Sequence, residues 1–529
     1  MMTRDFGVAL FVLLQLCYRG NSCPAQCQCF TPTRVFCSDE RLMDMPQNLS
    51  SGVRELVIMT TGITNVRPSA FPEGSELTKL VFLNNLLRGV AFNKLQGLQE
   101  LEISGNQRLE DLGTMTLSEL GNLTDLVLNF NQFRFLWGGL FNALQKLETL
   151  QLKGNVLVHL SLDLFRQLSR LRLLDLSQNL ISIVDKDLFS SLGQLETLRL
   201  DYNQIGFLPP GVFDSTPRLR ELCLQGNKIA ELPQALLSQL ADLQKLNLRG
   251  NLIKGLGANV FPPGLRELNL AENRLVSLSP ATFHQLPHLT HLLLSKNQLS
   301  VLQDDLFRNL SALQHVDLSE NAIGGLPKTI FSGLWKLVVI HLQKNNISAL
   351  ESGLFEDQAN VERLHLSDNA LRNIPAGLFN PFLAHNVIRL HGNPWACDCH
   401  LLHLYDWLVY GAEISEDISK MFCAAPRSLR GQGLVSLDRE QLVCAANFSA
   451  PLQATPSTPR PEETTPTRQC VVQETNGTIS VRCTIQKCPK LKVVTWYHDE
   501  GGDAHDFLIK HRLPQSTQCL NSTITLTLD

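Results

Sequence analysis

Apolar and polar residues along this chain fall into a short phrase that recurs. Leu195-Glu-Thr-Leu198-Arg-Leu200-Asp-Tyr-Asn203-Gln-Ile205 has the form LxxLxLxxNxL, and its asparagine place falls at 85, 106, 131, 155, 179, 203, 227, 251, 273, 297, 321, 345, 369 and 393. From 131 to 251, and again from 273 to 393, the step is 24 residues throughout. A divergent first copy surrounds Leu56 and Ile58, with Thr61 at the asparagine place. About fifteen copies therefore fill residues 53–393. In each copy the segment xxLxLxx alternates, so its leucines point one way and the residues between them the other. A single copy cannot bury its leucines; stacked copies form one continuous core and a parallel sheet, so the expected architecture is a solenoid.

The other fixed positions extend this picture. An asparagine amide both donates and accepts, so it can satisfy backbone groups where the chain turns off the strand. Ten residues beyond the asparagine comes an aromatic, at Phe141, Phe165, Phe189, Phe213, Phe261, Phe283, Phe307, Phe331, Phe355 and Phe379, with Leu237 interrupting the run. These rings are expected to stack as a second core column under the convex side. The step from 251 to 273 is only 22 residues, and the loss falls at Pro262-Pro263-Gly264. The strand residues there are intact, so the shortening is expected to alter the convex wall and leave the sheet alone.

Compartment decides how the cysteines are read. Residues 1–22 carry Arg4, an apolar run from Val8 to Leu16, and Gly20-Asn-Ser22 ahead of Cys23, the layout of a secretory signal peptide. It is too short for a spanning helix, and the chain ends at Thr-Leu-Asp529 without an apolar tail, so a secreted protein is expected. Thirteen cysteines remain, in three groups of four with Cys223 left over: Cys23, Cys27, Cys29 and Cys37; Cys397, Cys399, Cys423 and Cys444; Cys470, Cys483, Cys488 and Cys519. Even groups in an oxidising compartment point to disulfides, and the spacings lack the paired CxxC of zinc knuckles. Residues 446–469 hold Pro451, Pro456, Pro459, Pro461 and Pro466 among threonines, an extended linker. Residues 470–529 return to β character, a module small enough to need disulfides. A formal charge of -4 excludes the strong basic excess of a backbone-driven nucleic-acid binder.

The end motifs carry a resemblance. Cys23-x3-Cys27-x-Cys29-x7-Cys37 is similar to the N-terminal cap of secreted leucine-rich-repeat proteins, and Asn393-Pro-Trp395-x-Cys397-Asp-Cys399-His-Leu, with Cys423 and Cys444, is similar to their C-terminal cap. That resemblance implies the pairs Cys23–Cys29, Cys27–Cys37, Cys397–Cys423 and Cys399–Cys444, and a fold of the α/β-type solenoid class: a curved leucine-rich-repeat horseshoe with a parallel concave β-sheet, disulfide caps over 23–52 and 394–445, and a small β-rich disulfide module. Leu401, Leu404, Tyr405 and Leu408 have the spacing of a helix laid across the last repeat. Phe36-Cys-Ser-Asp-Glu40, Leu77-Thr-Lys-Leu-Val-Phe-Leu-Asn84, Leu128-Asn-Phe-Asn131 and His391-Gly-Asn-Pro-Trp-Ala-Cys-Asp-Cys-His400 further resemble the family of the non-catalytic large subunit of carboxypeptidase N. The tail, with Gln469-Cys, Gly477-Thr, Arg482-Cys and Lys487-Cys488 after a threonine/proline linker, adds to it. The resemblance implies a glycosylated plasma carrier that binds and stabilises a secreted catalytic carboxypeptidase subunit in a hetero-oligomer. The alternative is a secreted or shed recognition protein of the platelet-glycoprotein or growth-factor-carrier kind.

Motifs for chemistry are missing from the sequence. It holds no HxxE, HExxH, GxSxG or phosphate-binding glycine loop, so no enzyme activity and no cofactor are expected. His288-Leu-Thr-His291 and His400-Leu-Leu-His403 resemble metal pairs only superficially; the second is placed in the cap helix without nearby acids. Binding is therefore assigned to a surface. Fourteen or so strands at about 4.8 Å give a concave sheet roughly 65 Å long. Its outward candidates for partner binding are Asp175, Arg199, Tyr202, Arg220, Asn247, Arg249, Asn269 and Glu272, mixed in sign as suits a protein partner. Toward the C-terminal half His291, His315, His341, His365 and His391 follow one per copy, a stripe expected to loosen a partner as it protonates near pH 6. Cys223 lies at the central outward place of its strand, open to an edge contact, a capped thiol or an intermolecular disulfide. Glycosylation sequons begin at Asn48, Asn122, Asn309, Asn346, Asn447, Asn476 and Asn521, none of the four in or beside the repeats on an outward strand residue.

Overall fold

The structure is a computed structural model that describes residues 23–444, apart from residue 235 and the stretches 383–386 and 411–417, together with five backbone strands between 469 and 528. The expected signal peptide (1–22), the linker 446–469 except its last residue, and Asn447, Asn476, Cys488 and Cys519 lie outside the described residues. The chain forms two compact units, divided after Ala446.

In the first unit, strands stack in the order in which the chain makes them. A hairpin of Cys27–Thr31 and Arg34–Cys37 starts the sheet, and Arg34–Cys37 then pairs in parallel with Glu55–Met59, the strand of the first repeat. Fourteen more parallel strands follow, one per repeat, from Lys79–Leu83 through Thr197–Arg199 to Val387–Arg389, giving a sheet of 17 strands. Register never slips between repeats, because a shift of one residue would turn the leucines out to solvent. Leu174, Leu198, Leu222 and their counterparts are each 0% exposed. The phenylalanines form the expected second column: Phe189 and Phe213 stack with ring centroids 6.2 Å apart, Phe331 and Phe355 at 5.8 Å, and Leu237 lies buried in the place where the ring is missing.

Each asparagine ties its repeat to the one before. Asn203 Nδ2 donates to Leu176 O of the preceding repeat at 2.9 Å and to Leu200 O and Asp201 O of its own, while its Oδ1 accepts from Ile181 N at 3.0 Å. The same set recurs around Asn179, Asn251, Asn297 and Asn369. Across the short repeat the ladder is unbroken, with Asn273 reaching Leu248 O at 2.9 Å and Lys245–Asn247 in register with Glu267–Asn269.

The convex side is made of consecutive turns with a short 3-10 segment at Pro280–Thr282, and the repeats form the expected leucine-rich-repeat solenoid with a parallel β-sheet along one side. Breakers inside the returns explain the turns: Pro209 and Pro210 are followed by Gly211 with φ +82°, which a continuing helix does not tolerate. The shortened return is closed by Gly264, where an added Cβ would lie 2.6 Å from Ala241 O and 3.4 Å from Leu243 O. Both obstacles are backbone of the preceding repeat, so Gly264→Ala is expected to destabilise by ~1–3 kcal/mol. Gly255→Ala, with nothing within 4 Å, should stay within ~0.5 kcal/mol, both variants being compared with the parent chain by urea unfolding.

Disulfides close both ends. Cys23–Cys29 and Cys27–Cys37 pin the first hairpin, and Cys397–Cys423 and Cys399–Cys444 pin the C-terminal cap. The cap helix Leu402–Tyr410 buries Leu404, Tyr405 and Leu408, and its Trp407 lies 4.9 Å from Phe379 of the last repeats. Tyr405 OH donates to Leu437 O at 2.7 Å and Arg439 pairs with Asp406 at 2.8 Å, so both later cap segments are tied to the helix.

The second unit contains an antiparallel sheet of Gln469–Thr475, Thr478–Lys487 and Leu520–Leu528, and a separate antiparallel pair of Val493–Trp496 with Ile509–Arg512. Its register sets Cys470 opposite Cys483.

Candidate functional site

The outward face of the parallel sheet is built in columns, because every strand contributes its first and third residues to the same side. The first-residue column runs Thr197, Glu221, Lys245, Glu267, His291, His315, Val339, Arg363, and the third-residue column runs Asp175, Arg199, Cys223, Asn247, Asn269, Leu293, Asp317, His341, His365, Arg389. Of the candidates from sequence, Asp175, Arg199, Asn247, Asn269, His341 and His365 fall in the third-residue column and His315 in the first. Four do not share these columns. Arg220 precedes its strand, Arg249 follows its strand, and Tyr202 and Glu272 sit in the turn just before the asparagine, with φ of 54° and 56°.

Three of the third-column candidates serve the fold. Asp175 Oδ1 accepts from Ser177 N at 2.9 Å, Asn247 Oδ1 from Arg249 N at 3.1 Å and Asn269 Oδ1 from Ala271 N at 3.0 Å. An Asp or Asn side chain that caps the amide two residues on ends the strand and starts the turn. Asp175 faces outward as expected but is only 5% exposed, so it offers little surface to a partner. Asp317 makes the same turn through Ser319 N at 3.0 Å. The signal was in the sequence, as an Asx two places before the residue that leaves the strand.

The exposed charges pair between neighbouring repeats. Arg199 meets Glu221 at 3.3 Å, Arg220 and Arg172 share Glu196, and Glu272 takes both Arg249 at 2.9 Å and Lys296 at 3.0 Å. Hydrogen bonds from Arg249 and Lys296 hold the Glu272 carboxyl down to about 2. Such exposed pairs contribute ~0–1 kcal/mol each, so they order the face more than they stabilise it and remain free to exchange for a partner's charges.

The histidines cross the face on a diagonal. His291 and His315 are register partners in the first column, His341 and His365 in the third, and His391 lies beyond its strand. Burial, reinforced by His341 and His291, pushes the His315 imidazole down to about 4, and burial lowers His341 also. The expected loosening near pH 6 is therefore corrected for His315, which stays neutral there because its neighbours strip its water.

Cys223 is half-buried and the free cysteine among the described residues. Burial and the adjacent Glu221, which its thiol contacts at 3.5 Å, push it up to about 12. Since only the thiolate reacts, moving the pKa from 9.0 to about 12 leaves roughly a thousandth of the ordinary thiolate at pH 8. Iodoacetamide should label Cys223 in the folded chain ~1000-fold more slowly than in urea, with the native rate still climbing above pH 10. Equal rates folded and unfolded at pH 8 would contradict this.

Other sequence candidates resolve differently. His400 precedes the cap helix in a 3-10 turn, and its Nδ1 lies 3.1 Å from Asp398 Oδ1, so the reading of a histidine without nearby acids is corrected: Asp398 caps that turn. Cys399 and Cys444 complete a cluster with these two, but their sulfurs are bonded to each other and offer no thiolate to a metal. Asn48, Asn122, Asn309 and Asn346 are all exposed and off the outward columns. A set that sequence reading missed lies four residues after Asn131, Asn179 and Asn203, interrupted by His159 after Asn155: Phe135, Ile183 and Phe207 are 46%, 59% and 50% exposed, and Trp137 packs edge-on against Phe135 at 4.9 Å. Reading the copies by column at that offset would have found it.

Comparison with known proteins agrees with this geometry. Residues 121–181, 174–229, 241–299, 287–347 and 336–394 match the family described as Leucine rich repeat. Carboxypeptidase N subunit 2 of Homo sapiens is 46% identical over 57 residues, 11% of this chain and 10% of that protein. Trophoblast glycoprotein of Rattus norvegicus is 37% identical over 71 residues, 13% of this chain and 16% of that protein. The matched stretches thus span less than a fifth of either relative. Among solved structures, a leucine-rich-repeat protein of Leptospira interrogans superposes with a TM-score of 0.58 at 28% identity, covering 68% of this chain and 90% of its own. Among the described residues no helix is long and apolar enough to cross a membrane. With its stacked parallel strands, asparagine ladder and disulfide-closed ends, the chain is a leucine-rich-repeat protein that resembles the large subunit of carboxypeptidase N.

Proposed function

We propose that this chain is a secreted, glycosylated, non-catalytic carrier subunit that binds and stabilises a basic carboxypeptidase through its concave face. The observation that carries the reading is the 46% identity to carboxypeptidase N subunit 2 over 57 residues, supported by exchangeable charges at Arg199 on the outward sheet and at Arg220, Arg249 and Glu272 beside the strands, and by the exposed ring of Tyr202 in a bordering turn. Mixed charge of this kind favours a protein surface with complementary patches over a single polyanion. The exposed aromatic flank at Phe135 and Trp137 has the residue types that dominate interface energetics and supplies a second contact for the same partner.

The trophoblast glycoprotein match favours a second reading, a secreted or shed recognition protein with another ligand. Co-expression separates the two. The chain is secreted together with a catalytic carboxypeptidase N subunit, and the medium is fractionated by size under native conditions. Co-elution that is weakened by Arg249→Glu supports the carrier reading; separate elution of the two chains at micromolar concentration removes it.

A further inference from the structure

Beyond each ladder asparagine the alternation of buried and exposed residues continues for three places. The middle one is buried: Ile229, Ile253 and Leu275 are 0% exposed. The residues one and three places after the asparagine therefore share the opposite side, which faces solvent. This flank is a second ladder, because Lys228 N donates to Ile205 O, Leu252 N to Ile229 O and Arg274 N to Ile253 O, each at 2.9 Å. From Asn131 to Asn369 its two columns hold Arg134, Lys228, Lys254, Arg274 and Arg372 and no acid, in a chain whose formal charge is -4. Lys228, Lys254 and Arg274 stand on three consecutive repeats, and all three are exposed.

Ladder neighbours are about 4.8 Å apart and each residue advances about 3.3 Å, so the three Cα positions form a triangle with sides of roughly 8–10 Å. These cations differ from those of the sheet. Lys245 pairs with Glu267 at 3.0 Å and Arg199 with Glu221 at 3.3 Å, each neutralised by the next repeat. Lys228, Lys254 and Arg274 make no ion pair among the described residues. Glu231 borders them three residues after Lys228, and Glu272 is taken by Arg249 and Lys296. An added Cβ at Gly255 or Gly257 would meet nothing within 4 Å, so the surface beside Lys254 is bare backbone open to solvent. Unmixed positive charge on an open shelf favours a polyanion, just as mixed charge on the concave face favours a protein. We propose that Lys228, Lys254 and Arg274 form a docking surface for a sulfated polysaccharide, with its sulfates over the three cations and its sugar rings along the glycine shelf. Long flexible lysine stems adjust to different sulfate spacings, so the surface selects charge density more than sugar order. It lies off the concave columns, so it goes beyond the carrier reading and leaves that face to a protein.

The test titrates the untagged full chain calorimetrically with a heparin octasaccharide at pH 7.5, in 50 mM and in 150 mM NaCl. A polyanion releases counterions as its charges are neutralised. Saturable binding below about 100 µM is therefore expected at the lower salt, with log K falling against log salt at a slope of about −2 to −3. Lys228→Gln, Lys254→Gln and Arg274→Gln together should weaken binding at least ~10-fold and flatten that slope by about 2. All three residues are exposed, so the variant is expected to fold, which urea unfolding checks. Arg372→Gln, on the same flank four repeats away, should change affinity less than ~2-fold. A poly-glutamate peptide of equal net charge is the contrasting probe and should bind at least ~10-fold more weakly. No saturable binding at 100 µM in 50 mM NaCl, or equal affinity in the triple variant, overturns the site. Equal binding of poly-glutamate overturns it too, because the patch then belongs to acidic protein segments.

Discussion

Asn203→Ala should destabilise the solenoid by ~3–5 kcal/mol, as much as the loss of a large core side chain. The reason lies in what the amide serves. It satisfies Leu176 O and Ile181 N of the preceding repeat and Leu200 O of its own, three backbone groups sealed behind leucines that are 0% exposed. A buried backbone group deprived of its partner costs ~1–3 kcal/mol, and relaxation or an entering water recovers part of the total. Asn203→Asp separates donor from acceptor. Its carboxylate still accepts from Ile181 N but faces two carbonyl oxygens, so its loss should approach that of alanine. Gln204→Ala, one residue along and exposed, should change stability by no more than ~0.5 kcal/mol. Urea unfolding followed by circular dichroism measures all three. A loss below ~1 kcal/mol for Asn203→Ala would show that the ladder is dispensable. Because the asparagine joins two repeats, the variant is also expected to broaden the transition, as happens when coupling between neighbouring units weakens.

The same residue shows what the sequence could and could not reveal. Asparagine every 24 residues is visible because a period is visible, and the leucines around it declare a strand by alternation. Strand positions, repeat number and the phenylalanine column follow from those two regularities. The outward face was harder. Alternation gives the direction of a Cβ, but not whether the side chain then reaches solvent or folds back onto a backbone amide. Asp175, Asn247 and Asn269 were read as outward partner-binding candidates; they do stand in the outward column, but their side chains also cap the backbone where the strand ends. The histidines were seen one per copy, yet their split between two columns depends on register at each strand, and the lowered pKa of His315 depends first on its burial and then on the neighbouring His341 and His291. On the convex side, Pro209, Pro210 and Gly211 mark where a return must turn and not continue as a helix.

The ends of the ladder should be its second point of failure. Cys397–Cys423 closes a separation of 26 residues and Cys399–Cys444 one of 45, for which loop-closure entropy predicts about 3.5 and about 4 kcal/mol of stabilisation. By the same relation Cys23–Cys29, with a separation of 6, contributes only about 2 kcal/mol. Cys397→Ser with Cys423→Ser is therefore expected to be more damaging than removal of Cys23–Cys29. Its effect should be local first, because each repeat touches only its neighbours. Loosening the cap uncovers Trp395, Leu401 and Leu404 and takes Trp407 off Phe379, exposing the last strand of a long parallel sheet as an open edge. Amide exchange should quicken at strands 363–365 and 387–389 before it changes at 125–127 or 149–151, and the yield of folded chain should fall through aggregation. Uniform loss of protection along all the strands would contradict this, since it would mean that the solenoid unfolds as one cooperative block and that the cap stabilises it only through the global equilibrium.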